Sequence, residues 1–215
     1  MSLTLHLHPL SSFCMKALVA FYENGTPFRS HTVNLGDAGE LASHKAMWPL
    51  GKIPVLRDEA RDRTIPEATI IIEYLAQHYP GKATLIPADP ELARQTRFRD
   101  RVFDLYVNVP MQKIVTDRLR PPGKNDLFGV EEARQVLGTS LGMIDREMAR
   151  QEWAMGDSFG MADCAAAPGL FYANKVAPLA GKYPHAAAYL ERLEKRASFA
   201  RALEEAAPFF KFFPQ

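Results

Sequence analysis

The spacing of hydrophobic and polar residues changes its period several times within the first 80 positions. Leucine alternates with threonine or histidine over residues 3–7, which is the two-residue period of a β-strand. Pro9 ends this run, and the hydroxyls of Ser11 and Ser12 can cap a helix that follows. The pattern therefore predicts a strand and then a helix over about 13–24.

Later changes of period in the same region predict more short strands and helices. They are a strand over Phe28–Leu35, a helix over Gly39–Met47, a strand from Val55, a strand over Arg61–Ile65 and a helix over Thr69–His78. This order implies a parallel strand–helix–strand crossover followed by a β-hairpin. Helices must then cover both faces of a small mixed sheet.

Proline and glycine break the pattern at roughly residues 80–90, which we interpret as a linker between domains. Only helical spacing follows, over about 91–118, 131–151, 162–175, 184–196 and 198–206. We therefore predict an α/β domain over 1–79 and an all-helical domain over 91–215.

Composition and charge exclude several classes of protein. The 215 residues are 47% hydrophobic and 24% charged, as expected for a globular protein with a substantial core. A net charge of +1 gives no reason to expect a nucleic acid or an anionic membrane as partner. We see no basic segment leading into an apolar run that would predict a signal peptide. We also see no run of about 18 apolar residues that would predict a membrane span.

The cysteines and histidines favour a reduced protein without a metal. Cys14 and Cys164 are the only cysteines and lie far apart, which is not the pattern of a secreted disulfide framework, so a cytoplasmic location is expected. His6 and His8 share one face of the first predicted strand. A pair without a third ligand is a weak metal site, so no metal is expected.

A proline at the start of a strand and a carboxylate at the start of a helix predict a site for a small peptide. Pro54 precedes the apolar pair Val55-Leu56, and proline belongs at a strand's first position or edge. A cis Ile53–Pro54 bond would turn the backbone N–H and C=O of Ile53 toward an extended peptide-like ligand. Glu67 could then hold that ligand's ammonium group.

Four segments, in their order along the chain, resemble the soluble glutathione transferase family. They are residues 7–14 (LHPLSSFC), 51–56 (GKIPVL), 67–75 (EATIIIEYL) and 159–163 (FGMAD). The resemblance covers essentially the whole chain. It implies a thioredoxin-like α/β domain and an all-α domain. It also implies glutathione as co-substrate, a serine-type catalytic turn and a cytoplasmic homodimer used in detoxification.

The resemblance also assigns roles to residues of the first domain. Ser11 would donate a hydrogen bond to the glutathione sulfur, which favours the thiolate and lowers the thiol pKa. Ser11 as a simple helix cap remains an alternative. Lys52 would reach the glycine carboxylate, the Ile53 backbone would pair with the peptide, and Glu67 would bind the amino group. The alternatives are a solvated Lys52 and a Glu67 that only stabilises the helix start.

Two positions, Ala68 and Gly160, depart from the family pattern. The family has serine or threonine where this chain has Ala68, so only the backbone N–H and the helix dipole would bind the γ-glutamyl carboxylate. Losing the hydroxyl is also expected to cost about 1 kcal/mol as a lost helix cap. Gly160 replaces a hydroxyl cap at little cost, and Asp163 after it is expected to be structural. Cys14 lies beyond the nucleophile position, so a buried inert thiol is favoured over a second reactive thiol.

A hydrophobic electrophile is expected between the domains. Phe103, Tyr106, Val107 and Met111 have the spacing to line its pocket, although a buried core stripe has the same spacing. The phenylalanine-rich segment 208–214 could fold over the pocket as a lid or pack on the helical domain.

The predicted function is a transferase that conjugates glutathione to small apolar electrophiles. Two alternatives stay open. The Ser11-Ser12 pair is similar to that of family members that act on small organic acids as isomerases or dehalogenases. Ala68 favours a binding or regulatory protein of the same fold without turnover.

Overall fold

A four-stranded mixed sheet organises residues 2–78 in the computed structural model, which describes residues 2–214. The strands are β1 (Leu3–Leu7), β2 (Arg29–Thr32), β3 (Val55–Asp58) and β4 (Arg63–Pro66). They lie in the order β2-β1-β3-β4. β1 is parallel to β2 and antiparallel to β3, and β3 is antiparallel to β4. The predicted crossover, hairpin and fold class are confirmed.

Three helices flank this sheet: α1 (Ser12–Asn24), α2 (Ala38–Met47) and α3 (Ala68–His78). The leucines of β1 are buried because residues two apart point to the same face of a strand. α1 ends at Gly25, whose φ of +69° suits glycine. Most residues of α1 are buried, whereas His44 is the only buried residue of the described helix α2.

β2 is shorter than the predicted strand Phe28–Leu35. Its four side chains are all exposed, and its last link to β1 is the bond from Val33 N to Leu7 O (2.8 Å). Pro9 has no N–H with which to extend the pairing, so the chain leaves the sheet there.

From Pro90 to Phe212 the regular structure is mainly helical. The elements are α4 (Pro90–Val102), a π-helical turn (Phe103–Asn108), α5 (Val109–Asp117), α6 (Leu127–Met148), α7 (Met161–Val176), α8 (Pro184–Lys195), α9 (Ala197–Ala206) and a 3₁₀ helix (Ala207–Phe212). The change to all-helical structure falls between His78 and Pro90. The predicted second domain extends to Gln215, which lies outside the described residues. No helix within residues 2–214 has the length and apolarity to cross a membrane.

One feature of this half departs from the prediction of a continuous α-helix over 91–118. The helix does span that region, but its middle turn is π-helical. Pro110 cannot donate an N–H to the carbonyl of Tyr106, and Val109 N bonds Asp104 O, five residues back. Such a turn rotates the residues within it relative to an ideal α-helix.

Asp163 fixes the start of α7 as the sequence leads one to expect. Its carboxylate accepts hydrogen bonds from the N–H groups of Gly160 and Ala154, each at 2.8 Å. Tyr189 donates its hydroxyl to the same carboxylate. All these groups are buried, so Asp163 connects α7, α8 and the preceding loop.

A buried ionic cluster joins the sheet-containing half to the helical half. Lys16 on α1 is only 1% exposed, and its Nζ lies 2.6 Å from Asp100 Oδ1 and 2.7 Å from Asp104 Oδ2. Thr69 on α3 accepts a hydrogen bond from the same ammonium group at 2.7 Å. Arg101 also bonds both aspartates from the surface. The cluster therefore compensates its buried charges with partners from both halves.

Candidate active site

A cavity of about 670 Å³ opens between the two halves of the chain. Its wall includes Ser11, Lys52, Ile53, Glu67 and Ala68. These come from the start of α1, the segment before β3 and the start of α3. The fold thus brings together all five residues that the sequence analysis assigned to glutathione.

Ser11 is held at the start of α1 by its neighbours. Its Oγ accepts a hydrogen bond from Cys14 N at 3.3 Å, and its own N–H donates to His8 O at 2.9 Å. Tyr172 on α7 donates its hydroxyl to Leu10 O at 2.8 Å, which fixes the loop from the other half. Because Ser11 Oγ accepts from the backbone, its hydroxyl proton remains available for a ligand. Capping and a catalytic role are therefore compatible.

Cys14 lies behind this loop and is fully buried. Burial raises the pKa of its thiol to about 12, despite hydrogen bonds that oppose the shift. A thiol in that environment is not a nucleophile near neutral pH. The structure therefore contradicts the assignment of Cys14 as a second reactive thiol and agrees with the inert thiol favoured above.

The segment before β3 presents its backbone to the cavity. The Ile53–Pro54 peptide bond is cis, as the sequence suggested. Lys52 is exposed on the cavity wall, and its carbonyl lies 2.9 Å from Nε2 of His44 on α2. Trp48 also lines the cavity, although the sequence analysis did not single it out. Its Nε1 is buried without a hydrogen-bond partner among the described residues.

Glu67 has a backbone conformation that is unusual for a residue other than glycine. Its φ is +71°, which costs about 1–3 kcal/mol and is characteristic of functional sites. Among the described residues its carboxylate caps no helical N–H, and the residue is exposed on the cavity wall. The carboxylate is therefore free to bind a ligand's ammonium group.

Ala68 is the first residue of α3 and is 3% exposed. Because Glu67 occupies the N-cap position, a hydroxyl at position 68 would not be the helix cap. The expected loss of about 1 kcal/mol of helix stability therefore does not apply. What alanine lacks is a hydroxyl beside the first-turn N–H groups, which can still bind a carboxylate.

The opposite wall of the cavity is apolar and comes mainly from α5. Met111 and Val115 line it four residues apart, which places them on one face of α5, and Leu119 lines it from the turn after that helix. Gln112 and Thr116 form the adjacent row. Gln112 Nε2 approaches Ser12 Oγ at 3.5 Å, so an amide lies close to the Ser11-Ser12 turn.

Of the four residues predicted to line this wall, the structure places only Met111 on it. Phe103 and Val107 are 3% and 0% exposed and pack in the core close to Gly169 of α7. Tyr106 is 50% exposed on the surface. The prediction is therefore wrong for these three residues, and Phe103 and Val107 belong instead to the buried core stripe that the sequence analysis gave as the alternative.

The C-terminal segment also contributes to the cavity. Phe212, Phe213 and Pro214 line it, and the ring of Phe213 stacks on Tyr172 with centroids 5.4 Å apart. Arg118 donates a hydrogen bond from Nη1 to Pro214 O at 3.0 Å. The segment thus folds back against the pocket. Whether it moves as a lid stays a prediction.

Two domain models of one family match the chain. The glutathione S-transferase N-terminal domain matches residues 5–83, and the C-terminal domain matches residues 128–192. The chain belongs to the glutathione S-transferase family. The resemblance identified in the sequence is therefore confirmed.

Relatives of this family differ in their named activities. Glutathione S-transferase GstB of Escherichia coli (strain K12) is 28% identical over 130 residues, 60% of this chain and 62% of that protein. The chain thus matches less than two thirds of that relative's length. Maleylacetoacetate isomerase of Pseudomonas aeruginosa is 28% identical over 182 residues, 80% of this chain and 81% of that protein.

A solved structure agrees over nearly the whole length. It is a glutathione S-transferase from Methylobacillus flagellatus with GSH bound, with a TM-score of 0.83 and 27% identity. The match covers 94% of this chain and 98% of that chain.

Proposed function

We propose that this chain is a glutathione transferase that adds the glutathione thiolate to small apolar electrophiles. One observation carries the proposal. The five residues assigned to glutathione share a single cavity with an apolar wall. The glutathione thiol and a hydrophobic second substrate can therefore bind next to each other, and this proximity is what the conjugation reaction needs.

The proposed roles follow from the chemistry of each group. Ser11 donates its hydroxyl proton to the sulfur, and the start of α1 adds positive partial charge, so the thiolate is favoured. Glu67 binds the ammonium group, and the N–H groups at Ala68 bind the γ-glutamyl carboxylate. Lys52 pairs with the glycine carboxylate, while the Ile53 backbone pairs with the peptide. The thiolate then attacks the electrophile against the α5 wall.

An organic-acid substrate is the second candidate, because a relative is named maleylacetoacetate isomerase and the chain has the Ser11-Ser12 pair. The cavity wall favours the apolar substrate. Within residues 2–214, Lys52 is the only cationic side chain that lines the cavity. It would already be paired with the glycine carboxylate of glutathione. A glutathione-binding protein without turnover is the outcome if binding occurs but no substrate is converted.

Calorimetry and a conjugation assay on the same samples test the proposal. We expect glutathione to bind and Glu67→Ala to weaken it. Lys52→Ala should weaken glutathione but not γ-glutamylcysteine, which lacks the glycine. Lys82→Ala, at an exposed linker lysine, serves as the charge control. Equal losses for both ligands would contradict the role of Lys52, and absence of binding would contradict the function.

We also propose that the protein acts as a cytoplasmic homodimer. Large apolar side chains are exposed on α3, α4 and the π-helical turn: Ile70, Phe98, Leu105 and Tyr106 are 47–56% exposed. A second copy is the partner that the family resemblance favours for this surface. Sedimentation velocity should give a dimer for the wild type and a monomer for Phe98→Glu. A monomeric wild type would refute this part of the proposal.

A further inference from the structure

His44 on α2 connects the wall of the active-site cavity to a second cavity of about 370 Å³ behind it. The residue is 2% exposed and lines the second cavity together with His6 of β1 and His31 of β2. Most of the other residues of α2 are exposed. Burying a polar ring costs free energy unless the ring is hydrogen-bonded, so the contacts of His44 indicate why a histidine stands at this position.

One nitrogen of His44 bonds the segment that presents its backbone to the active-site cavity. Nε2 lies 2.9 Å from Lys52 O. A carbonyl oxygen only accepts hydrogen bonds, so the neutral His44 ring carries its proton on Nε2 and donates it to Lys52 O. Outside the β-ladders, the described residues form no other hydrogen bond with the backbone of Lys52 or Ile53. His44 therefore supplies the contact that fixes the peptide unit between these two residues.

The other nitrogen of His44 contributes nothing comparable to the fold. Nδ1 is buried and has no hydrogen-bond partner among the described residues. A buried acceptor without a partner is destabilising, and an apolar ring at position 44 would avoid that cost. What the imidazole offers over an apolar ring is thus the bond to Lys52 O.

This bond also determines where the N–H of Ile53 points. The carbonyl of Lys52 and the N–H of Ile53 belong to one planar peptide unit, and this peptide bond is trans. In a trans peptide the C=O and N–H groups point in opposite directions. Because His44 holds the carbonyl from the side of the second cavity, the N–H of Ile53 is directed to the opposite side, where Ile53 lines the active-site cavity.

We propose that His44 is a positioning residue for glutathione, which it serves by holding the Lys52 carbonyl so that the Ile53 N–H faces the bound peptide. The inference rests on the proposed function, in which the Ile53 backbone pairs with glutathione. His44 acts through Lys52 and Ile53 and does not touch the ligand itself. Its loss should therefore weaken glutathione binding and leave the contact between Ser11 and the sulfur intact.

Calorimetric titration of glutathione into the full chain and its position-44 variants tests the proposal. His44→Phe keeps a ring but removes the donor, so Kd should rise about 3- to 10-fold. His44→Gln, whose amide can reach Lys52 O, should bind within about twofold of the wild type. In a conjugation assay with chlorodinitrobenzene, His44→Phe should raise KM for glutathione and leave kcat at saturating glutathione unchanged.

A second variant keeps the test decisive if His44→Phe does not fold. His44→Asn is polar like His44→Gln, but its amide is one methylene shorter and stops short of Lys52 O. It should bind glutathione as weakly as His44→Phe is expected to. His31→Ala is the matched control, because His31 lines the same second cavity but is not the residue that bonds Lys52 O. It should bind glutathione like the wild type.

The outcomes separate this inference from the proposed function. Wild-type protein that binds no glutathione would refute the proposed function and the inference with it. Wild-type protein that binds glutathione no better than His44→Phe and His44→Asn would refute the inference alone. Binding by His44→Gln as weak as that of His44→Asn would also overturn it, because restoring the donor would then restore nothing. An equal loss in His31→Ala would overturn it as well, since the second cavity rather than the bond would then matter.

Discussion

Replacing Ala68 with serine should tighten glutathione binding. Ala68 lines the cavity beside Glu67 and begins α3, so its Cβ is next to the first-turn N–H groups proposed to hold the γ-glutamyl carboxylate. A serine hydroxyl on that Cβ would give the carboxylate one more donor. The substitution adds a single oxygen on a residue that already faces the cavity, so we expect little change in the fold.

The magnitude follows from the kind of hydrogen bond formed. A hydrogen bond to a charged group contributes about 1.5–3 kcal/mol. That value already includes the exchange with water, but ordering the hydroxyl on binding costs about 0.5–1 kcal/mol, which leaves a net gain of about 1–2 kcal/mol. Because 1.4 kcal/mol corresponds to a tenfold change, Kd should fall roughly 5- to 30-fold.

Calorimetric titration of glutathione into Ala68→Ser and the wild type measures this change. Ala76→Ser is the control, because Ala76 is exposed on the same helix and should leave Kd unchanged. If Ala68→Ser binds no more tightly than the wild type, the carboxylate does not lie at the start of α3. If Ala76→Ser gives the same gain, the effect is not local to the cavity.

Four further outcomes are expected. Ser11→Ala should lose the helix cap, and with it about 1 kcal/mol of stability. It should also raise the thiol pKa of bound glutathione, which is measured from thiolate absorbance against pH. An unchanged thiol pKa would mean that Ser11 serves only as a helix cap. Glu67→Gly should raise the free energy of unfolding, measured in denaturant, by about 1 kcal/mol, because glycine adopts a positive φ without strain. Its glutathione affinity should fall. A less stable variant would show that the backbone of Glu67 is not strained. Asp163→Ala should reduce the free energy of unfolding by about 3 kcal/mol, since buried N–H groups lose their acceptor, and the thermal midpoint should fall. An unchanged midpoint would refute the structural role of Asp163. Cys14 and Cys164 should not react with a thiol reagent at pH 8 until the protein unfolds, and rapid native labelling would show that burial has been misjudged.

Local signals in the sequence were sufficient for most of the fold. The leucine alternation of residues 3–7, the cap at Ser11 and the stop at Gly25 each depend on neighbouring residues only, and the structure has β1 and α1 where they indicate. The cavity residues of the first half were also predictable, because Lys52 and Glu67 lie in short segments with a recognisable pattern.

The remaining features depend on contacts between distant residues. Phe103 and Val107 lie in the core, which their spacing allowed, but the spacing alone could not tell which face of this helix meets the cavity. Trp48, which directly follows α2, also lines the cavity, and no pattern in the sequence marked it. The approach of His44 on α2 to His6 on β1, with ring centroids 6.2 Å apart, likewise depends on how α2 packs on the sheet.

The buried Lys16 cluster determines how the chain can be divided. A cut in the linker would leave Lys16 in one fragment and Asp100 and Asp104 in the other. A fragment ending near residue 89 would lose both carboxylates and the helices α7 and α9 that pack on α1, so Lys16 and an apolar face of α1 would be exposed to water. Although the chain reads as two structural units, it should melt as one, and neither piece is suited to separate expression.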